Sequence, residues 1–219
     1  MEPGEFEMGS DGPFSVRDER PVHSVTIRKA FWIGKFPVTQ EQFEAVSGKN
    51  PSFFKGGKLP VDNISWNLCQ EFCRELSSRN AGWFRVPTEA EWEFACRSGN
   101  SSEFFWGDSL NGDYFWYSYN SSGETQEVGL KKPNAWGIHD MLGNVWEWCK
   151  DFYSEDYYME SPETDPVCLR DKIRLGMKVK RGGSWQEPAD RCRCGSRGRA
   201  NPEFMTRDTG FRLIFEELA

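Results

Sequence analysis

The feature that most constrains this fold is residues 99–135, where apolar side chains recur with neither helical nor strand periodicity. Gly, Ser, Asn and aromatic residues dominate the stretch, and loops of this length are uncommon in a small domain. The whole chain has the same character, because its 219 residues include 21 Gly, 12 Pro, 17 Phe, 10 Trp and 6 Tyr. We therefore predict a loop-rich α+β fold in which aromatic packing and short strands hold irregular backbone in place.

Short segments with regular patterns flank the irregular stretch. Capping residues predict three helices, which begin after Thr39 (with Gln42), after Ser65 and after Thr88 (with Glu91). Apolar and β-branched runs predict strands at residues 22–27, with an extension to 31–33, and at 145–148, 179–185 and 211–215. Since no repeat or Pro- or Ser-rich linker divides the chain, we expect residues 1–219 to form one domain.

Composition excludes several classes of protein. The net charge of −7 argues against a nucleic-acid binder, and no apolar run approaches the ~18 residues that a membrane span needs. Two histidines cannot form a three-His metal centre. We expect the protein to be a monomer, in which seven cysteines leave at least one thiol unpaired. The first residues do not form a secretory leader, so the chain as written is cytoplasmic, or exported if a leader was removed.

The charge is unevenly distributed along the chain. Residues 170–212 hold 12 Lys and Arg against 5 Asp and Glu, so the remainder is strongly acidic. One interpretation is an acidic body that folds back on a basic segment through ion pairs. The other is a basic face that binds an anionic or carbonyl-rich ligand, and the two are compatible.

A series of motifs runs through nearly the whole chain. In order, they are Met8-Gly9-Ser10, Pro21-Val22-His23, Pro37-Val38-Thr39, Pro60-Val61, Ile64-Ser65-Trp66, residues 85–93, Trp106-Gly107, residues 134–137, residues 140–148, Arg181-Gly182-Gly183-Ser184-Trp185 and Gly210-Phe211-Arg212. Together they resemble the formylglycine-generating enzyme (sulfatase-modifying factor) family of bacteria and other organisms. The resemblance implies a C-type-lectin-related α+β fold with a twisted antiparallel sheet, two to three helices and much irregular structure.

The oxidases of that family use two thiolates that bind Cu(I), activate oxygen and oxidise a substrate cysteine. Soft thiolates suit Cu(I), and the pair lies five residues apart, shortly after Gly-Gly-Ser-aromatic. Here no cysteine occupies either expected place after Ser184, so the resemblance implies a member that lacks the catalytic pair, and we expect no copper. The alternative is a copper- and oxygen-dependent oxidase that uses Cys192 and Cys194 as a rearranged pair.

The resemblance also implies a structural cysteine pair. Cys194 falls where some members of the family have a half-cystine, and its partner there aligns with Cys96. We therefore expect Cys96 and Cys194 to lie close together, oxidised or reduced according to the compartment.

A calcium site is implied in the same way. Family members hold Ca²⁺ in the block that corresponds to residues 140–147, and the matching ligands here are Asp140, the carbonyls of Gly143 and Val145, and Glu147. Carboxylate and carbonyl oxygens suit this hard cation. The alternative is that Glu147 forms a buried pair with Arg181 or Arg212.

The last segment of the chain resembles the ligand-display segment of diversity-generating retroelement variable proteins. Those proteins vary residues between Gly-Gly-Ser-Trp and Gly-Phe-Arg-Leu, and this chain has that frame at residues 182–213. We therefore predict a non-catalytic module that binds a protein or glycan ligand. The predicted ligand-binding residues are Trp185, Gln186, Glu187, Asp190, Arg191, Ser196, Arg199, Phe204 and Arg207. Two further alternatives are a partner domain of a larger assembly and a sugar-stacking platform at residues 114–119.

Overall fold

The computed structural model describes residues 1–170 and 176–217 of the chain. Three α-helices form where the capping residues predict them: α1 (Gln40–Ser47), α2 (Trp66–Ser78) and α3 (Glu89–Arg97). The Thr39 hydroxyl accepts a hydrogen bond from the Gln42 backbone N–H, and the Gln42 side chain accepts one from the Thr39 backbone N–H. This reciprocal bond satisfies two of the free amides at the start of α1.

Short strands make up the rest of the regular structure. In chain order they are β1 (Gly4–Met8), β2 (His23–Ile27), β3 (Trp32–Ile33), β4 (Trp83–Arg85), β5 (Trp146–Phe152), β6 (Lys178–Arg181), β7 (Arg197–Ala200), β8 (Thr209–Gly210) and β9 (Ile214–Glu216). They form three sheets with the orders β1-β2, β3-β9-β4 and β7-β6-β5-β8. The α+β class is confirmed.

The four-stranded sheet carries the segment predicted to bind ligand. Its central strand β5 pairs antiparallel with β6 but parallel with β8, so this sheet is mixed, whereas an antiparallel sheet was expected. β6 pairs antiparallel with β7, which lies at the edge.

Several strands differ in extent from the prediction. The strand predicted at 179–185 ends at Arg181, because Gly182 and Gly183 have φ angles of 96° and 75° that turn the chain out of the sheet. A Cβ at Gly183 would lie 2.4 Å from the Cys192 sulfur, so this turn requires glycine. The predicted strand at 145–148 continues to Phe152, and the strand predicted at 211–215 is shorter, at Ile214–Glu216. β1, β4, β7 and β8 were not predicted.

The irregular stretch 99–135 contains no helix or strand. Its aromatic rings stack on one another instead: Trp106 lies between Phe104 and Tyr114 with centroid distances of 4.8 and 4.7 Å. Phe115 stacks on Tyr117 at 4.5 Å in the same way. These contacts favour packing over a sugar platform as the role of residues 114–119.

Large tryptophans form the core under the four-stranded sheet. Trp92, Trp146 and Trp148 are almost completely buried. The indole N–H of Trp148 donates to the Ile64 carbonyl at 3.0 Å, so a buried ring also supports irregular backbone. Within residues 1–170 and 176–217, no helix is long and apolar enough to cross a membrane.

Candidate functional site

The basic segment contains two classes of arginine. The first class is buried, and each member is ion-paired to a glutamate from another part of the chain. These pairs are Arg181–Glu93, Arg193–Glu19, Arg197–Glu89 and Arg212–Glu147. The structure therefore supports the interpretation in which an acidic body folds back on this segment.

The environment of Glu89 shows how strongly these pairs are coupled. Its carboxylate accepts two hydrogen bonds from Arg197, at 2.7 and 2.8 Å, and one from the Tyr158 hydroxyl at 3.2 Å. Burial acts to raise the pKa of Glu89, but attraction to Arg197 and Arg181 outweighs it and lowers the pKa. These arginines hold the fold together, and their guanidinium groups are not available to a ligand.

The second class comprises Arg191, Arg199 and Arg207, which form no ion pair with any residue in 1–170 or 176–217. Each guanidinium lies over an aromatic ring instead. Arg191 lies 6.0 Å from the centre of the Trp146 ring, and Arg199 lies 4.5 Å from that of Tyr153. Arg207 lies 5.3 Å from the ring of Trp185. Stacking orients a guanidinium while leaving its N–H donors at the ring's edge free for a ligand.

Two of these arginines border a cleft of about 320 Å³ on the four-stranded sheet. The cleft is lined by Asp18, Trp146, Tyr153, Lys180, Glu187, Arg191, Arg197, Gly198 and Arg199. Its volume lies at the small end of the range for ligand pockets, about 300–1,000 Å³. It would accommodate a side chain or a small molecule.

The lining of the cleft comes from separate elements. Trp146 on β5 donates its indole N–H to Glu187 at 3.2 Å, and Lys180 on β6 lies 5.1 Å from the centre of that ring. Burial lowers the pKa of Lys180, although Asp208 and Glu187 oppose the change. Gly198 on β7 leaves room for both side chains, since a Cβ there would lie 2.9 Å from Lys180 and 3.1 Å from Trp146.

Most of the predicted ligand-binding residues lie at this cleft or on the exposed surface after it. Glu187, Arg191 and Arg199 line the cleft. The other exposed members are Gln186, Asp190, Phe204 and Arg207.

Two predicted ligand-binding residues do not meet solvent as expected. Ser196 is completely buried, because it precedes β7 and its carbonyl accepts a hydrogen bond from the buried Arg181 at 2.6 Å. Trp185 is 6% exposed, because it packs against Phe54 and lies beneath Arg207. Both side chains support the surface from below.

Sequence reasoning missed six of the nine residues that line the cleft: Asp18, Trp146, Tyr153, Lys180, Arg197 and Gly198. Trp146 is 1% exposed, as a core residue would be, yet it borders the cleft. The sequence did contain a feature that could have identified Lys180, since a lysine flanked by buried residues in a predicted strand requires an explanation. No local sequence feature identified Asp18 or Tyr153, because both reach the cleft from parts of the chain outside the predicted binding segment.

The residues predicted to bind calcium fit the ion only in part. Asp140 Oδ2 accepts a hydrogen bond from the Gly129 N–H at 2.7 Å, while its buried Oδ1 has no hydrogen-bond partner among the described residues. That free oxygen suits a cation. Both oxygens of Glu147, however, accept hydrogen bonds from Arg212 at 2.8 Å, and Oε2 also accepts one from Trp92. Glu147 therefore has the arginine partner that was the alternative to calcium.

All seven cysteines are buried. The sulfurs of Cys96 and Cys194 lie 3.6 Å apart, so the expected structural pair is adjacent. Cys192 lies instead against the Ser184 carbonyl, at 3.8 Å. Burial raises the pKa of the Cys96 and Cys192 thiols. Burial acts on Cys194 in the same way, but the hydrogen bond with Cys96 and attraction to Arg97 outweigh it and lower the pKa of Cys194. Of the alternative pair, Cys192 is therefore held in the thiol form, which disfavours binding of Cu(I) and attack on substrates.

The comparisons with known proteins agree on one family. The model of the sulfatase-modifying factor enzyme 1-like domain matches residues 1–217. A formylglycine-generating enzyme of Streptomyces coelicolor is 33% identical over 70% of this chain and 51% of its own length. The serine/threonine-protein kinase pkn1 of Chlamydia pneumoniae is 30% identical over 97% of this chain. The chain spans only 36% of that kinase.

The solved structure of Treponema denticola variable protein 1 has a similar fold. It is 30% identical to this chain, with a TM-score of 0.83, over 98% of this chain and 92% of the other. The resemblance to variable proteins therefore extends to the three-dimensional structure.

Proposed function

Because this chain belongs to the sulfatase-modifying factor enzyme 1-like family, yet buries all seven of its thiols, we propose that it is a non-catalytic ligand-binding module. Its ligand is a protein or a glycan. The binding face consists of the cleft on the four-stranded sheet together with the exposed residues Gln186, Asp190, Phe204 and Arg207.

One observation carries this proposal: arginines without ion-pair partners among the described residues collect on the face that carries the segment 182–213. The other arginines of residues 181–213 form ion pairs with buried glutamates. The guanidinium groups of Arg191, Arg199 and Arg207 instead lie over aromatic rings, and the side chains of Arg199 and Arg207 are exposed. Arginine and aromatic residues are enriched where proteins bind partners.

The comparisons support a ligand-binding module. The Treponema denticola protein is described as a variable protein, and it shares the fold of this chain. The relationship to formylglycine-generating enzymes supports the fold, and activity has to be argued from the site. Here the thiol chemistry of an oxidase would have to begin from buried cysteines, and burial raises the pKa of Cys192, one of the two candidates.

Selection of ligands tests the proposal. Random peptides on phage, and an array of glycans, are exposed to the wild-type chain and to a face variant, Arg191→Ala/Arg199→Ala/Phe204→Ala/Arg207→Ala. The matched control removes three positive charges and one apolar side chain from exposed sites outside the binding face, Lys29→Ala/Lys49→Ala/Arg74→Ala/Leu130→Ala. Circular dichroism and thermal unfolding verify that both variants fold.

We expect ligands enriched on the wild type to bind the control variant equally and to lose binding to the face variant. Ligands that bind the face variant as well as the wild type would place the interaction elsewhere and contradict the proposal. Failure to enrich any ligand from either library would also count against it.

A further inference from the structure

The binding face has an electrostatic asymmetry that points to one class of ligand. The acidic groups at the cleft already accept hydrogen bonds from neighbouring side chains. Asp18 Oδ2 accepts one from the Tyr153 hydroxyl at 2.5 Å, and Glu187 Oε1 accepts one from the Trp146 indole at 3.2 Å. The buried Oδ1 of Asp18 has no hydrogen-bond partner among the described residues, so the acids are only partly satisfied within the chain.

The cations at the cleft are not satisfied to the same degree. Among the described residues, Arg199 makes no side-chain hydrogen bond, and Arg191 makes one long bond, at 3.3 Å, to the Arg197 carbonyl. Lys180 lies deeper, where it donates a hydrogen bond of 3.3 Å to the Thr209 hydroxyl and is ion-paired to Asp208 at 3.9 Å. Arg191 and Arg199 thus line one small cleft without an ion-pair partner among the described residues.

The floor of the cleft limits the shape of the ligand. The Trp146 ring is only 1% exposed, because Gly198 lies against its edge and Lys180 and Arg191 lie over it, so the floor of the cleft is closed. The volume of about 320 Å³ suits a side chain or a small molecule, and exposed Phe204 and Arg207 continue the surface outside. This arrangement fits a chain that inserts one acidic side chain and extends across the face.

We propose that the cleft binds a glutamate or aspartate side chain from an acidic peptide segment of a protein partner. This inference rests on the proposed function, since it names the ligand class of the same face. Arg191 and Arg199 bind the carboxylate with the N–H donors that stacking leaves free, because guanidinium and carboxylate form charge-assisted hydrogen bonds. Lys180, which is ion-paired to Asp208, lies behind them.

Fluorescence anisotropy with labelled peptides tests the inference. One short peptide alternates Glu and Gly, and its partner replaces every Glu by Gln. Each is titrated with the wild type, with Arg191→Gln/Arg199→Gln, and with the control Lys49→Gln/Arg74→Gln, which removes the same charge from exposed sites on α2 and near the end of α1. Inorganic phosphate is added as a competitor.

We expect the Glu peptide to bind the wild type and the control with equal affinity. The cleft variant should bind it about 10- to 100-fold more weakly, a loss of about 1.4–2.8 kcal/mol, because both positive charges that attract the carboxylate are removed. The Gln peptide should bind the wild type at least about tenfold more weakly than the Glu peptide.

Three results would overturn the inference. Equal affinity for the Glu and Gln peptides would show that the carboxylate is not recognised. Equal weakening in the cleft and control variants would reduce the effect to non-specific attraction. Displacement of the peptide by low phosphate concentrations would indicate a general anion site. If library ligands depend on the binding face but lack acidic residues, this inference fails while the proposed function stands.

Discussion

The two classes of arginine lead to a prediction that a single strand can test. Arg197 and Arg199 lie two residues apart on β7, so their side chains leave the same face of the strand. Arg197 is buried against Glu89, whereas Arg199 is exposed over Tyr153. We expect Arg197→Gln to destabilise the fold strongly and Arg199→Gln to leave stability almost unchanged.

The structure sets the expected size of the difference. Arg197→Gln removes both hydrogen bonds that Arg197 donates to the buried Glu89, and breaking a buried ion pair typically costs about 3–5 kcal/mol. Arg181 lies 3.7 Å from Glu89 and partly compensates the negative charge that Glu89 would keep in the variant. We therefore expect a loss of stability at the lower end of this range, about 3 kcal/mol. Arg199→Gln removes one exposed contact with a ring, which contributes about 0.5–1 kcal/mol.

Urea unfolding followed by tryptophan fluorescence, together with calorimetry, measures both variants. For a chain of this size, each kcal/mol corresponds to about 2–4 °C, so Arg197→Gln should lower Tm by roughly 6–12 °C. A loss below about 1 kcal/mol for Arg197→Gln would refute the division into structural and binding arginines. So would a loss for Arg199→Gln as large as that for Arg197→Gln.

Three further predictions concern single sites. Burial raises the pKa of Asp62 to about 6, so the stability that this group contributes is present below pH 4 and lost as the pH rises through 6. The unfolding free energy of the wild type relative to Asp62→Asn should therefore fall by about 2–3 kcal/mol between pH 4 and 7, and a pH-independent difference would contradict this. Mild oxidation should join the peptides that contain Cys96 and Cys194 in a digest and raise the unfolding free energy by up to about 4–5 kcal/mol, whereas an unchanged peptide map would count against the pairing. Calcium should raise the Tm of the wild type more than that of Asp140→Asn, and equal shifts would remove Asp140 as a ligand.

Local signals in the sequence were sufficient for the helices. Thr39 and Thr88 form capping boxes with the residues three positions later, and such bonds depend only on neighbours in the chain. The family motifs then predicted the α+β fold. β7 was missed because its sequence, Arg-Gly-Arg-Ala, has no apolar alternation and owes its place to pairing with β6.

The site was harder to predict, because it depends on contacts between distant residues. Nothing local distinguishes Arg197 from Arg199, since the glutamate that binds Arg197 lies 108 residues earlier in the chain. Ser196 was predicted to be exposed for the same reason, as its burial follows from the position of Arg181. Trp146 lies on a strand with buried residues on both faces, so its sequence does not alternate and gave no sign that its ring borders a cleft.

The most direct test of whether this chain binds a ligand rather than oxidises a thiol is its copper content. The wild type and Cys192→Ser/Cys194→Ser are loaded with Cu(I), washed and analysed by elemental mass spectrometry, and each is then incubated in air with a cysteine-containing peptide. We expect neither protein to retain stoichiometric copper and the peptide mass to match that of a control without protein. Stoichiometric copper in the wild type that the double variant loses, together with oxidation of the peptide, would contradict the proposed function.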